Sequence, residues 1–322
     1  DLLLIDSAIY NKYTLPKIID KYYIIKIKPN ESKKEYLYIT NIISNLLKKE
    51  FSKKNKIICI GGGILQDITS FISSILFRGV NWYFFPTTLL AQADSCIGGK
   101  ISINFKNYKN QIGNYYPPNY IYIDLNFLTT LNKDQIYSGV GEIMHYYLVS
   151  NKKDFLMIKK NLDLLLSGDL KTLSKTIIRS LEIKKKFIEK DEFDKGPRLI
   201  LNYGHTFGHT IEKITNYKIP HGMAVAHGIN MSNFFSLQYK LINMKIFKDI
   251  ENQMSKIVDL SKLKKINARY FLEIVKKDKK NKKNQIRLIL TKGIGKMFIK
   301  NLNNELKFIS FLKKYFYYIG NG

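Results

Sequence analysis

Apolar residues in the first part of the chain gather into short runs at residues 2–5, 22–27, 56–60, 82–85 and 120–123, with only Lys26 and Lys56 charged among them. Runs of this length, too continuous for a half-exposed strand, mark strands buried on both faces. Between them the apolar positions recur at helical spacing, as in residues 35–49, and strands alternating with helices predict a parallel α/β layer. After about Phe127 the strand signal fades, and long amphipathic stretches take over at residues 133–150, 170–190, 206–215 and 223–239. The pattern therefore predicts an α/β domain over residues 1–128 and a mostly α-helical domain over residues 129–322.

Composition narrows the class without changing that picture. With 322 residues and a hydrophobic fraction of 45%, the chain can build folded cores. No stretch approaches eighteen uncharged apolar residues, so no membrane span is expected. Residues 1–6 read as a buried strand and lack the pattern of a secretory signal. The two cysteines, Cys59 and Cys96, lie too far apart in sequence to suggest a thiolate metal cluster, read as small buried residues, and fit a reducing, cytoplasmic setting. A formal charge of +27 raises nucleic acid as a partner. The lysines are instead spread through the predicted helices among Ile, Asn and Tyr, as a broad compositional bias produces, and concentrate only at residues 276–283. The expectation is no nucleic-acid partner, a solvated loop over that basic run, and a field that attracts anionic substrates.

Two clusters carry candidate chemistry. The strand at 56–60 runs directly into Gly61-Gly62-Gly63, followed by Asp67 and a helical run at 68–76. Glycines at such a turn let backbone N–H groups approach a phosphate at a helix start, although the same turn is a common structural solution and is not Gly-x-Gly-x-x-Gly. Three of the five histidines, His205, His209 and His221, fall within seventeen positions. The i,i+4 spacing of the first two puts them on one helix face, the spacing of a metal-binding pair. An anionic ligand would have to come from elsewhere; Glu142, opening an apolar helix after Gly139-Val140-Gly141, is a candidate among many acids. Lys100, Lys109, Lys184 and Arg198 could serve an anionic substrate, yet each alone reads equally as a solvated surface charge.

The order of these segments resembles the 3-dehydroquinate synthase family, within the sugar-phosphate cyclases. The resemblance is carried by Gly61-Gly62-Gly63-Ile64-Leu65-Gln66-Asp67, Phe77-Arg78-Gly79-Val80, the block at residues 86–100, Tyr108-Lys109-Asn110-Gln111-Ile112-Gly113, Gly141-Glu142, the block at residues 198–209, and His221-Gly222. It covers about residues 1–300, and the two long blocks are specific. It implies a Rossmann-like N-terminal domain holding NAD, a helical C-terminal domain holding Zn²⁺ or Co²⁺, and a sugar-phosphate substrate in the cleft between them.

The resemblance also assigns residues. Glu142, His205 and His221 would bind the metal, which leaves His209 for proton transfer rather than ligation. Gly62, Gly63 and Asp67 would hold the pyrophosphate and ribose of NAD; Thr87, Thr88 and Asp94 the nicotinamide side; Phe127 and Thr130 a border of the cofactor; Asp6, Glu31 and Lys34 its adenosine end. Lys100, Lys109, Asn110, Lys184, Arg198 and Asn202 would hold the substrate, with Lys100 and Lys109 also beside the cofactor, Lys279 or Lys280 closing the site, and Arg78 reaching in from the partner subunit of a homodimer. The implied reaction is a transient oxidation by NAD, phosphate elimination, return of the hydride, and intramolecular aldol closure. This sequence departs from the family at His145, where Lys is usual and a substrate contact is expected, at Met223 where Glu is common, and at Gln66, where the turn usually has Gly. A sister cyclase acting on another sugar phosphate, such as sedoheptulose 7-phosphate, and a catalytically silent NAD-binding protein are the alternatives.

Overall fold

The computed structural model describes residues 1–14, 21–106, 108–277 and 285–320. The chain divides into two compact units, Asp1–Leu131 and Asn132–Gly322.

The first unit is built on a five-stranded parallel sheet of β1 (Leu2–Asp6), β2 (Tyr23–Ile27), β3 (Ile57–Gly61), β4 (Trp82–Pro86) and β7 (Tyr120–Ile121) in the order β2-β1-β3-β4-β7. Its connecting helices include α1 (Ser7–Lys12), α2 (Tyr36–Lys48) and α3 (Gly63–Ile75). Leu2 and Leu4 of β1 and Leu65, Ile68 and Ile72 of α3 are fully buried, which is why these apolar runs form the centre of the layer. The expected strand at 120–123 pairs only through its first two residues before the chain turns away. The hairpin of β5 (Lys100–Phe105) and β6 (Tyr108–Tyr115) escapes a search for apolar runs, because β6 reads YKNQIGNY and is mostly exposed.

The second unit contains α4 (Lys133–Ser150), α5 (Lys152–Leu166), α6 (Leu170–Ile188), α7 (His205–Ile214), α8 (His221–Gln238), α9 (Met244–Ile257), α10 (Ala268–Lys276) and α11 (Glu305–Gly320). The strand signal does not end at Phe127 as expected: β8 (Ile286–Thr291) and β9 (Met297–Leu302) form an antiparallel hairpin. Its first strand follows close on the Lys/Asn-rich run and is broken by Arg287, so the short apolar stretch Leu288-Ile289-Leu290 is easily absorbed into a loop reading. α4 starts at Asn132, whose side chain accepts from Gln135 N at 2.9 Å while Gln135 Oε1 accepts from Asn132 N at 2.9 Å, a reciprocal cap. α8 is buried on nearly every side from Gly222 to Ser236, apolar residues and buried polar ones such as His227, Asn230 and Asn233 together, so it has no solvent-facing polar stripe. Phe207, Phe235, Phe271 and Phe308 fill the core beside it. Among the described residues, no helix is long and apolar enough to cross a membrane.

Candidate active site

In the helical unit the starts of two helices meet the middle of a third. Glu142 projects from α4, while His205 and His221 are the first residues of α7 and α8. Glycines set the spacing. A Cβ on Gly141 would fall 2.2 Å from Gly222 O, and one on Gly222 1.7 Å from Ser138 O, so α4 and α8 touch backbone to backbone beside two of these residues. A Cβ on Gly228 would fall 1.9 Å from Gly204 O, and one on Gly208 3.1 Å from Ala224 O, which holds α7 equally close to α8. Gly204, at φ 82° before His205, is also the one residue here whose backbone requires the left-handed region.

The ligand-type atoms of Glu142, His205 and His221 all lie within 4.8 Å of one another. His205 Nε2 stands 3.5 Å from Glu142 Oε1, and His221 Nε2 stands 3.6 Å from Glu142 Oε2. These separations exceed a hydrogen bond. Each imidazole thus stands off its own carboxylate oxygen by close to the about 3.4 Å that separates two donors bound to one Zn²⁺ at about 2.0–2.2 Å. Glu142 Oε2 is buried without a hydrogen-bond partner, an acceptor left idle unless a cation meets it. The donor set of one carboxylate and two imidazoles fits zinc or cobalt.

Electrostatics favour the ligating forms. Burial alone would raise the Glu142 carboxyl, but His205 and His145 outweigh it and hold it well below the usual carboxylate range. Burial pushes the His205 imidazole down despite the pull of Glu142, keeping a neutral lone pair available. His205 Nδ1 faces Tyr203 O at 3.2 Å, and His221 Nδ1 faces Glu212 Oε2 at 3.2 Å, so each imidazole has a partner that fixes its ring and leaves Nε2 toward Glu142. Glu212 went unnoticed in the sequence. It sits seven residues after His205 on the same helix face and is buried where an exposed acid would be the default, so packing alone reveals it.

His209 lies beside both imidazoles, edge-on to His205 with ring centroids 5.5 Å apart and tilted against His221 at 5.7 Å. Lys184 and Arg198 are buried, unlike solvated surface charges, and Arg198 N donates to Asp191 Oδ2 at 3.1 Å. Asn202 donates to Leu199 O at 3.0 Å and closes the turn that leads to His205. His145, expected at the substrate, has no exposed surface.

The α/β unit gathers most of the residues expected at the cofactor. α3 begins at Gly63 rather than at residue 68, and its cap residue Gly62 has no side chain, so the first amides of a thirteen-residue helix are left for an anion. Thr88 walls this turn, since a Cβ on Gly62 would meet its Cγ2 at 2.9 Å, and Thr87 N donates to Gly61 O at 3.0 Å. Asp94 lies on a turn of π-helix, Ala91–Ser95. Gln66 Nε2 donates to Ser95 O at 2.5 Å and Gln66 Oε1 accepts from Ser95 Oγ at 2.5 Å, clamping this turn to α3.

Residues expected at opposite ends of the cofactor and at the substrate meet in one network. Lys34 Nζ lies 2.7 Å from Asp67 Oδ2 and donates to Asn110 Oδ1 at 2.9 Å, while Glu31 lies 3.6 Å from Lys34 and 3.7 Å from Lys109. Asp6 caps α1 by accepting from Ala8 N at 2.8 Å, Phe127 packs edge-on against Tyr13, and Thr130 donates to Phe127 O at 2.9 Å. Lys100 opens β5 and is exposed. Lys279 and Lys280 lie outside the described residues.

The chain matches the model of the 3-dehydroquinate synthase N-terminal region over residues 24–138 and that of the C-terminal region over residues 139–281. It is 39% identical to a 3-dehydroquinate synthase of Pelagibacter ubique over 88% of this chain and 79% of that protein. It is 36% identical to one of Dictyoglomus thermophilum over 95% and 86%. Among solved structures, a 2-deoxy-scyllo-inosose synthase complexed with carbaglucose-6-phosphate, NAD⁺ and Co²⁺ superposes with a TM-score of 0.86 at 21% identity, covering 97% of this chain and 89% of that one. A 2-epi-5-epi-valiolone synthase of Streptomyces hygroscopicus with NAD⁺ and Zn²⁺ bound superposes with a TM-score of 0.85 at 19% identity, covering 98% and 90%.

Proposed function

The chain belongs to the 3-dehydroquinate synthase family, and from that membership we infer that it converts 3-deoxy-D-arabino-heptulosonate 7-phosphate into 3-dehydroquinate and phosphate. This makes it a phosphate-eliminating lyase of the shikimate route to aromatic amino acids. The observation that carries the reading is the convergence of Glu142, His205 and His221 from three helices to ligand-atom separations that one metal ion can span.

Bound NAD supplies a reversible hydride acceptor, and a bound zinc or cobalt ion supplies Lewis acidity at the hydroxyl being oxidised. The protein's own residues do the rest. The open amides at the start of α3 take the NAD pyrophosphate, with Asp67 for a ribose, and the Pro86–Ser95 segment, through Thr87, Thr88 and Asp94, lines the nicotinamide. Glu142, His205 and His221 hold the ion, and Glu212 fixes the His221 ring. Buried Lys184 and Arg198, with Lys100, Lys109, Asn110 and Asn202, neutralise the phosphate and carboxylate of the substrate. His209, beside two ligand imidazoles, moves protons at the sugar hydroxyls.

We propose that the enzyme works in the cytoplasm as a homodimer in which Arg78 enters the partner's site. Phe77, Arg78 and Gly79 have φ of 50°, 61° and 114°, a strained turn that presents an exposed Arg78.

The test is product identification with metal-loaded, NAD-supplied protein offered 3-deoxy-D-arabino-heptulosonate 7-phosphate and sedoheptulose 7-phosphate side by side. Dehydroquinate and phosphate from the first alone support the reading. Turnover of the second alone overturns it in favour of a sister cyclase, the reading that His145 in place of Lys supports.

A further inference from the structure

His145 follows Glu142 by one turn of α4 and has no exposed surface. Neither of its ring nitrogens has a hydrogen-bond partner. An imidazole taken out of water in that condition loses hydration with nothing returned, so such a residue needs an account. Its Nδ1 faces Glu142 Oε1 at 3.5 Å, the same oxygen that faces His205 Nε2 at 3.5 Å, and the His145 and His205 rings lie 5.1 Å apart. Tyr146 packs on the ring at 4.7 Å, limiting its rotation.

We propose that His145 is a positioning residue for the Glu142 carboxylate and does not touch the substrate. This rests on Glu142 being a metal ligand. A ring shift of about half an ångström brings Nδ1–H within hydrogen-bond length of Oε1 and fixes which lone pairs of the carboxylate point at the ion. An imidazole nitrogen can donate one hydrogen bond to the carboxylate from this distance while its ring stays packed against Tyr146. The position therefore serves the ligand set in this chain, and recognition of the substrate falls to other cations.

The test compares wild type, His145→Phe, His145→Asn, His145→Gln and Glu142→Gln by Co²⁺ affinity in chelator competition, by the Co²⁺ absorption spectrum, and by the KM of the sugar phosphate at saturating metal. His145→Phe should weaken Co²⁺ about 10–100-fold and alter the spectrum, with KM moved less than about threefold. Asn presents its amide near the Nδ1 position and should restore most of the affinity; Gln presents it near Nε2 and should not. If His145→Phe does not fold, the Asn and Gln pair decides the matter alone. A KM raised about tenfold or more with Co²⁺ affinity intact would make His145 a substrate contact and overturn the proposal. Glu142→Gln should abolish tight Co²⁺ binding; unchanged affinity there would instead remove the metal assignment on which the proposal stands.

Discussion

The most exacting test of the metal centre is a single methyl group placed away from any ligand atom. In Gly222→Ala the new Cβ would lie 1.7 Å from Ser138 O and 3.2 Å from Glu142 N. Real Cβ contacts are not found under 3.0 Å, so α4 and α8 must separate by about 1.3 Å or more at this crossing. If the shift lies along the line from His221 Nε2 to Glu142 Oε2, their 3.6 Å separation grows to about 4.9 Å. One ion with bonds of about 2.0–2.2 Å spans at most about 4.4 Å. His221 then drops out of the ligand set, and affinity for Co²⁺ or Zn²⁺ should fall by a hundredfold or more. Overpacking should also cost about 1–3 kcal/mol, lowering the Tm of the metal-free protein by about 2–12 °C. Thermal scans with and without metal read both effects, because a ligand that binds only the folded chain raises Tm in proportion to its affinity. The metal-dependent rise in Tm should nearly vanish in the variant. A variant that keeps the wild-type rise would refute the idea that the helix crossing sets the ligand spacing.

Three further outcomes are expected. Glu212→Ala frees the His221 ring and should weaken metal binding about 10–100-fold in chelator competition, with Glu212→Gln losing less because its amide oxygen can still accept from Nδ1. Burial pushes the His227 imidazole down to about 4, against the opposing pull of Asp259. The unfolded chain takes up this proton near pH 6.5 while the folded chain refuses it, so stability should fall as pH drops from about 6.5 to 4 and level off outside that window, by about 3 kcal/mol in all; urea melts of wild type and His227→Gln should differ in slope over that range. Gln66→Ala removes both bonds to Ser95 and should lower unfolding stability by about 1–3 kcal/mol, with weaker NAD⁺ binding by calorimetry; unchanged affinity would show that the clamp does not shape the cofactor turn.

Legibility in the sequence followed the strength of local signals. The helix Lys133–Ser150 has apolar residues on most sides and a polar cap, and its reading matches the structure end to end. The parallel strands are equally plain because their runs are apolar, although only β1 is buried along its length while β3 and β4 alternate and the outer strands β2 and β7 are partly exposed. The β5–β6 hairpin is not, since its second strand carries polar side chains to solvent and its register comes from pairing with residues whose own run is short. At the metal centre, spacing alone pairs His205 with His209. That inference sees one helix face, whereas the structure gathers Glu142 and His221 from two other helices, a convergence that no local period encodes. The three residues become a set only through the family resemblance, and Glu212 and the idle ring of His145 emerge only from packing.

The backbone contacts at Gly141, Gly204, Gly208, Gly222 and Gly228 carry a lesson for anyone who would move this centre to another protein. Grafting Glu, His and His onto a generic helical bundle would fail, because ordinary side chains keep helix axes too far apart for the three donors to meet. The transferable unit is the crossing itself, five missing side chains as much as three present ones. A designer would copy the glycines first and the donors second.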